Sequence, residues 1–443
     1  MNCPPALEEE LKTDSAVLQS DAGTMLSVRT RKAMRPCRYK RLALLCIFLL
    51  AGCYGERSTT LEDGVSLFLR NDLDSARPVL ARAVENDPGD PDVQAWYAEC
   101  LRRLGRYDLA AEHARAAVDL APGHSFAHTV LGDLFSPRLS SWQRANAESA
   151  WVHLMLAVAA DPGDGNAWTS VWIHSMRRGD REMEHRAAVS MIESGFLTPS
   201  LLAYNRWQLR HLPPKAVLLT NGDMDTYPSV ALQENEGFRD DVAVINLSLL
   251  NLPWYARDRA SRFGIPLPFA EDELARLRPY VDINGETVTQ SARIVAGWLE
   301  MQKRGEFARP LCAAVTLARF DFTPDALSRR VFRGSYYEYL PRPAGRDADL
   351  LSVETSLSGL RPADFEGEFV SDSDRSPVRR SGTFMLARNI TAAMVRYVNL
   401  LIENGRLGEA KDALDEAEHF DSRIRAGGHF KDEFERLRQI VES

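Results

Sequence analysis

Three kinds of apolar pattern divide the 443-residue chain. A dense block, Leu42–Leu50, lies behind the basic residues Arg35, Arg38, Lys40 and Arg41. Small apolar residues then return in phase. Ala83, Ala117 and Ala157 each stand five residues before a proline, and Ala76, Ala110 and Ala150 stand twelve before it. Small side chains at those places let two antiparallel helices approach closely, so stacked helical hairpins are predicted over 57–205. From 206 to 345 the pattern becomes short continuous runs: Lys215–Thr220, Asp241–Asn246 and Arg309–Thr316. Such runs between helix-sized stretches predict parallel strands with crossover helices. Pro228 and Pro324 suit the first turns of helices over Pro228–Gly237 and Ala326–Phe332. Asn284-Gly285 signals a hairpin turn. Thr289–Arg304 reads as an amphipathic helix and Tyr336–Leu340 as an edge strand. Residues 346–388 read as an irregular linker, and 389–443 as a last helical hairpin.

The phase of the hairpins has a recognisable length. Asp87-Pro88-Gly89-Asp90 recurs as Ala121-Pro122-Gly123-His124 and Asp161-Pro162-Gly163-Asp164, at intervals of 34 and 40 residues. Gly105 and Tyr107 fit the turn within a hairpin, and Leu131-Gly132 fit the first helix of the next. This resembles the tetratricopeptide-repeat family over about 57–200, with about six residues inserted near Ser136–Ser141. A weaker unit runs from Ala167-Trp168 through Gly179-Asp180. A detached one places Tyr397, Gly405, Ala410, Leu414 and Ala417 at matching positions. The resemblance implies a concave surface that holds a protein or peptide partner. The fold class expected is mainly α: a tetratricopeptide-repeat superhelix, then a small α/β domain with a mostly parallel sheet, then a repeat-like C-terminal hairpin.

The first apolar block bears on location. Basic residues, a short apolar core and the small residues Leu50-Ala51-Gly52 before Cys53 are ordered as in a secretory signal peptide. The block is about half of the roughly 20 residues that a membrane span needs. The Leu-Ala-Gly-Cys site resembles the lipobox of bacterial lipoproteins, which implies cleavage before Cys53 and acylation of that cysteine. Residues 34–52 are then the signal peptide and 53–56 a lipid-anchored linker. The acidic segment 1–33 is a poor leader and is set aside as an over-extended start or a disordered leader. Tyr54 follows the cysteine rather than the aspartate associated with inner-membrane retention. The outer membrane, facing the periplasm, is therefore expected if the source has two membranes.

A formal net charge of -8 argues against a nucleic-acid partner, and membrane contact is expected through the lipid anchor only. After processing, Cys100 and Cys312 remain, both in apolar stretches and read as buried free thiols. His124 and His128 have metal-compatible spacing but no third ligand nearby, and no CxxC or HExxH pattern exists.

The most distinctive stretch is Leu219-Thr-Asn-Gly-Asp-Met-Asp-Thr-Tyr-Pro228, followed by Gln233-Glu-Asn-Glu-Gly-Phe-Arg239, Asp241–Leu250 and Pro253-Trp-Tyr255. It resembles a segment from the soluble C-terminal part of bacterial multi-spanning proteins labelled protein O-mannosyltransferase-like. A related segment occurs in exported repeat proteins. The similarity covers about 205–260, and transferase activity is not expected without the multi-spanning part.

Ligands of open α/β sheets bind beyond the carboxyl ends of the strands. Asn221, Gly222, Asp223 and Asp225 leave the first run there, and Asn246 and Ser248 leave the second. Asp223 and Asp225 have the spacing with which metal-dependent nucleotide-sugar transferases hold a divalent cation, and oxygen ligands suit Mg²⁺, Mn²⁺ or Ca²⁺. The same residues also read as turn chemistry, with Asp225 or Thr226 capping the helix. No nucleophile elbow, phosphate loop or dinucleotide glycine pattern supports an enzyme, so no catalytic residue is expected. Two functions fit. One is an exported, lipid-anchored, non-enzymatic interaction scaffold of the bacterial envelope, needing no cofactor. The other is a protein that binds a carbohydrate or small polar ligand at the Asp223/Asp225 loop, with a divalent cation as its only candidate cofactor.

Overall fold

The computed structural model describes residues 60–443, apart from 284, 318–321, 324, 346–347, 367–376 and 425–428. The leader, the signal segment, Cys53, Asn284 and Pro324 lie outside the described residues.

Each proline of the repeated turn follows a second helix of a hairpin: Leu73–Asn86, Tyr107–Leu120 and Ala147–Ala160. The residue two places after the proline starts the next helix by capping it. Asp90 accepts from the Asp92 amide at 2.8 Å and opens Pro91–Arg103. His124 accepts from the Ala127 amide at 3.1 Å through Nδ1 and opens Ser125–Phe135. Asp164 accepts from the Asn166 amide at 3.1 Å and opens Gly165–Arg178. His124 is thus a cap in place of an aspartate. Gly179, at φ +71°, ends that helix in the left-handed region before Arg181–Glu193. The six phased alanines are all buried between helices. A Cβ on Gly132 would come within 2.7 Å of Leu154 Cδ2, so this glycine is needed for helix approach.

First helices of successive hairpins also touch one another, which turns their side of the stack inward. The insertion forms the segment 136–146 between Ser125–Phe135 and Ala147–Ala160. Trp142 anchors it, donating from Nε1 to Asp108 at 3.0 Å, and the Ser136 hydroxyl lies 3.0 Å from His174 Nε2.

Helix Pro199–His211 leads into the sheet, whose strands are β1 (Val217–Thr220), β2 (Ala243–Asn246), β5 (Leu311–Ala314), β6 (Arg330–Phe332) and β7 (Tyr336–Tyr339), in the order β2-β1-β5-β7-β6. Strands β3 (Tyr280–Val281) and β4 (Thr287–Val288) form a separate hairpin around Gly285, at φ +83°. β1 pairs in parallel with β2 and β5, while β7 runs antiparallel to β5 and β6. The sheet is therefore mixed, with β7 alone running against the other four strands. β7 is interior rather than an edge, because Arg330–Phe332 is a strand beside it and not the end of a helix. Only Leu327–Arg329 of that stretch is helical, as a single tight turn. Helix Gln290–Lys303 matches its sequence pattern.

The last repeat and the sheet share one core. Trp172 meets Tyr227 edge-to-face at 5.6 Å. Buried Glu184 accepts from Arg262 at 2.7 Å, and Arg262 also reaches Glu234 at 2.7 Å.

The expected irregular linker is largely helical, with Leu350–Leu357 and Ala363–Glu366 in it and a long helix beginning at Pro377. That helix, Pro377–Glu403, pairs with Leu407–Arg423, and Lys431–Val441 adds a third. Val398, Leu401, Leu414 and Ala417 pack in one cluster with Leu201, Tyr204, Trp207 and Phe332. The detached pair is thereby closed by the helix before β1 and by the β6 end of the sheet. Cys100 and Cys312 are free and buried. No helix of the described residues is long and apolar enough to cross a membrane.

Candidate functional site

The acidic loop follows β1 as the sequence pattern requires, but the helix begins five residues before Pro228, at Asp223. The reason is Asp225. Its carboxylate turns back to accept the Asn221 amide at 3.0 Å and the Gly222 amide at 2.9 Å, and it also accepts the Thr316 hydroxyl at 2.5 Å. Amides left free at a helix start are satisfied in this way. Asp225 is buried, and burial raises its carboxyl pKa while Thr316 and the amides oppose the rise.

Pro228 then lies inside the helix and offers no amide to the Met224 carbonyl. Asn205 Nδ2, from the preceding helix, donates to that carbonyl at 2.9 Å. Asn205 Oδ1 accepts the Ser229 hydroxyl at 2.8 Å. An internal proline is thus tolerated because a neighbouring amide replaces the missing donor.

Asn246, at the end of β2, is as fully engaged. Its Oδ1 accepts the Leu249 amide at 3.0 Å, and its Nδ2 donates to Thr226 Oγ1 at 2.9 Å and to the Gly222 carbonyl at 3.4 Å. Its own amide donates to the Tyr255 hydroxyl at 3.2 Å, and Thr226 meets Thr220 at 2.7 Å. Gly222, Asp225 and Asn246 therefore share one hydrogen-bonded knot at the carboxyl edge of β1 and β2. Asn221 contributes its amide to this knot. Ser248 stays exposed on the short helix Leu247–Leu250.

Asp223 faces elsewhere, since residues two apart at a helix start point in different directions. It is exposed at its own edge and accepts from the Tyr227 hydroxyl. The crowding of protein around it raises its pKa, and the Arg138 charge opposes. Among the described residues no group of three His, Cys, Asp or Glu side chains could hold a metal.

Arg138 comes from the insertion and marks a second set of groups that single-residue motifs did not suggest. On the inner side of the repeats, Arg102 pairs with Glu99 at 2.7 Å and lies 3.8 Å from Asp133. Asp133 accepts the Ser170 hydroxyl at 2.8 Å, and burial raises its pKa against the pull of Arg102. The charges of Arg138 and Asp133 are both felt by the Tyr227 hydroxyl. The sequence signal was the break in repeat length that carries Arg138.

The rest of the distinctive segment is framework. Gln233 Nε2 donates to the Arg239 and Val242 carbonyls, each at 2.8 Å. Arg239 donates to the carbonyls of Leu209 at 2.7 Å, Leu212 at 2.9 Å and Pro213 at 2.9 Å, closing the end of helix Pro199–His211. Tyr255 is core, and Trp254 packs partly buried against it.

Comparison with known proteins agrees with this division. Residues 63–125 match a tetratricopeptide-repeat family model. Residues 202–272 match a model described as TMEM260-associated domain 2, which overlies the distinctive stretch Leu219–Tyr255. Among solved structures, PilF of Pseudomonas aeruginosa is 18% identical, covering 48% of this chain and 90% of its own, with a TM-score of 0.31. A thermophilic tetratricopeptide-repeat protein of Thermus thermophilus is 18% identical, covering 47% and 97%, with a TM-score of 0.30. MamA is 16% identical, covering 47% and 93%, with a TM-score of 0.26. No curated protein matches the chain. The chain carries a tetratricopeptide-repeat superhelix joined to a small mixed-sheet domain, part of which is similar to TMEM260-associated domain 2.

Proposed function

We propose that this protein is an exported, lipid-anchored, non-enzymatic scaffold of the bacterial cell envelope that holds a protein partner in its repeat groove. The observation that carries the reading is the state of the acidic loop. Asp225 and Asn246, the groups a sheet-edge ligand would need, are buried and engaged in holding the fold. The inner side of the repeats instead leaves Phe126 and Arg138 half-buried, beside the packed Glu99–Arg102–Asp133 charge network, as groups a peptide can reach. Repeats of this kind generally mediate protein contacts. The anchor rests on Leu50-Ala51-Gly52-Cys53 behind its basic, apolar leader. Chemical crosslinking in native membranes, followed by purification, tests the scaffold: a discrete protein adduct supports it and none refutes it. Cys53→Ala tests the anchor, since it should stop acylation and leave the signal attached.

A second reading rests on Asp223. It is exposed and held by the buried Tyr227 hydroxyl, and a hydroxyl-rich ligand such as a sugar, with or without a divalent cation, would meet a carboxylate there, near the Arg138 charge. A thermal shift with sugars, nucleotide sugars, Ca²⁺ or Mn²⁺ that Asp223→Asn abolishes would favour this reading over the scaffold.

A further inference from the structure

A cleft of about 410 Å³ lies on the side of helix Pro199–His211 away from the acidic loop, closed by the segment 358–365. Its walls carry Arg206, Arg210, His211 and Arg361 but only one carboxylate, Asp364. Two of the guanidiniums are matched. Arg206 meets Glu236 through two bonds of 2.5 and 2.7 Å, and Arg361 meets Asp364 at 2.7 Å. Arg210 pairs with no carboxylate among the described residues.

The ordinary role for a cation in the last turn of a helix is to offset the carbonyls there. Here that role is already filled. Arg239 donates to the carbonyls of Leu209, Arg210, Leu212 and Pro213 from the other side. The Arg210 charge is therefore in surplus. Trp207 spends its indole N–H on the Ser356 carbonyl at 2.6 Å, so it offers the cleft an apolar wall. A low-polarity wall strengthens any charge pairing beside it. His211 donates from Nδ1 to the Trp207 carbonyl at 2.8 Å, which leaves Nε2 available.

We propose that this cleft binds a phosphate-bearing group, with Arg210 as its charged donor. A guanidinium presents paired N–H donors that match tetrahedral oxyanions. The volume leaves room for a phosphate and for the atoms that carry it. Free phosphate and a phospholipid headgroup share this chemistry.

The test uses the purified full chain with two probes. One is inorganic phosphate, followed by ³¹P line broadening. The other is vesicles of phosphatidylglycerol, with phosphatidylcholine vesicles as the control. Arg210→Gln should weaken binding by about tenfold or more, the scale of a lost charged hydrogen bond. Arg70→Gln, an exposed charge removed elsewhere, should leave it unchanged. Circular dichroism confirms that both variants fold, and both positions are exposed. Binding of phosphate alone assigns a free phosphate ligand, and preferential binding of phosphatidylglycerol vesicles assigns a headgroup; either supports the site. No binding of either probe, an Arg210→Gln protein equal to wild type, or an equal loss in Arg70→Gln overturns it.

Discussion

Asn205→Ala should be among the most destabilising substitutions in the sheet domain, and its cost should depend on Pro228. In the native fold Asn205 Nδ2 donates to the Met224 carbonyl at 2.9 Å and Oδ1 accepts the Ser229 hydroxyl at 2.8 Å. Asn205 and Ser229 are both fully buried. Removing the side chain leaves the carbonyl and the hydroxyl unpaired, at about 1–3 kcal/mol each. The expected total is about 2–6 kcal/mol. In a Pro228→Ala background the new amide can donate to Met224 as in any helix, so only Ser229 is orphaned. Asn205→Ala should then cost about 1–3 kcal/mol, a coupling of about 1–3 kcal/mol in the double-mutant cycle. Urea unfolding followed by near-ultraviolet circular dichroism reads the midpoints, with the slope checked for constancy. Equal costs in the two backgrounds would refute the view that Asn205 stands in for the missing proline amide.

Further outcomes follow from the same geometry. Gly132→Ala should destabilise the third hairpin by about 1–3 kcal/mol, because its Cβ would overlap Leu154; a melting temperature equal to wild type contradicts this. Asp108→Ala removes the Trp142 anchor and should speed tryptic cleavage after Arg138 and Arg144, read by mass spectrometry, with little change elsewhere. Burial holds His153 and His174 at pKa values of about 4, below the ordinary 6.5, so the fold favours their neutral forms. Their contribution is complete above pH 6.5 and is lost as pH falls from 6.5 towards about 4, because the unfolded chain then binds more protons. His153→Phe should flatten part of that slope in a pH series of melting temperatures, and an unchanged slope contradicts the assignment.

The repeats were legible because their signals are local. Proline, the residue two places on and two phased alanines fix the ends and the contact faces of each hairpin. Even the insertion showed itself, as an interval six residues too long. The parallel strands were legible as apolar runs, but the sheet's far side was not. Arg330–Phe332 carries a helix-compatible pattern after a proline, and only pairing with Tyr336–Tyr339 makes it a strand. Pro228 misled in a similar way. A proline favours the first turn of a helix, and the two features that allow it deeper in, Asp225 turned backwards and Asn205 from another helix, depend on the fold. The polar residues around the acidic loop were found by sequence, but their mutual engagement was not. A hydrogen-bonded knot and a ligand site use the same residue types, and only distances and burial separate them. The charges of Arg138 and Asp133 reach the Asp223 helix only through the tertiary fold, for which one sequence carries no sign.

The central claim is that a partner occupies the inner side of the repeats. Photo-crosslinking from single positions in cells tests it most directly. Phe126, half-buried on a first helix and 4.6 Å from Trp96 by ring centroid, accepts an aromatic photoprobe with little change. Val152, exposed on a second helix, serves as the outer-side control. The account predicts a discrete protein adduct from position 126, lost in an Arg138→Glu background, and none from position 152. Adducts from 152 alone, or none from 126, would contradict it.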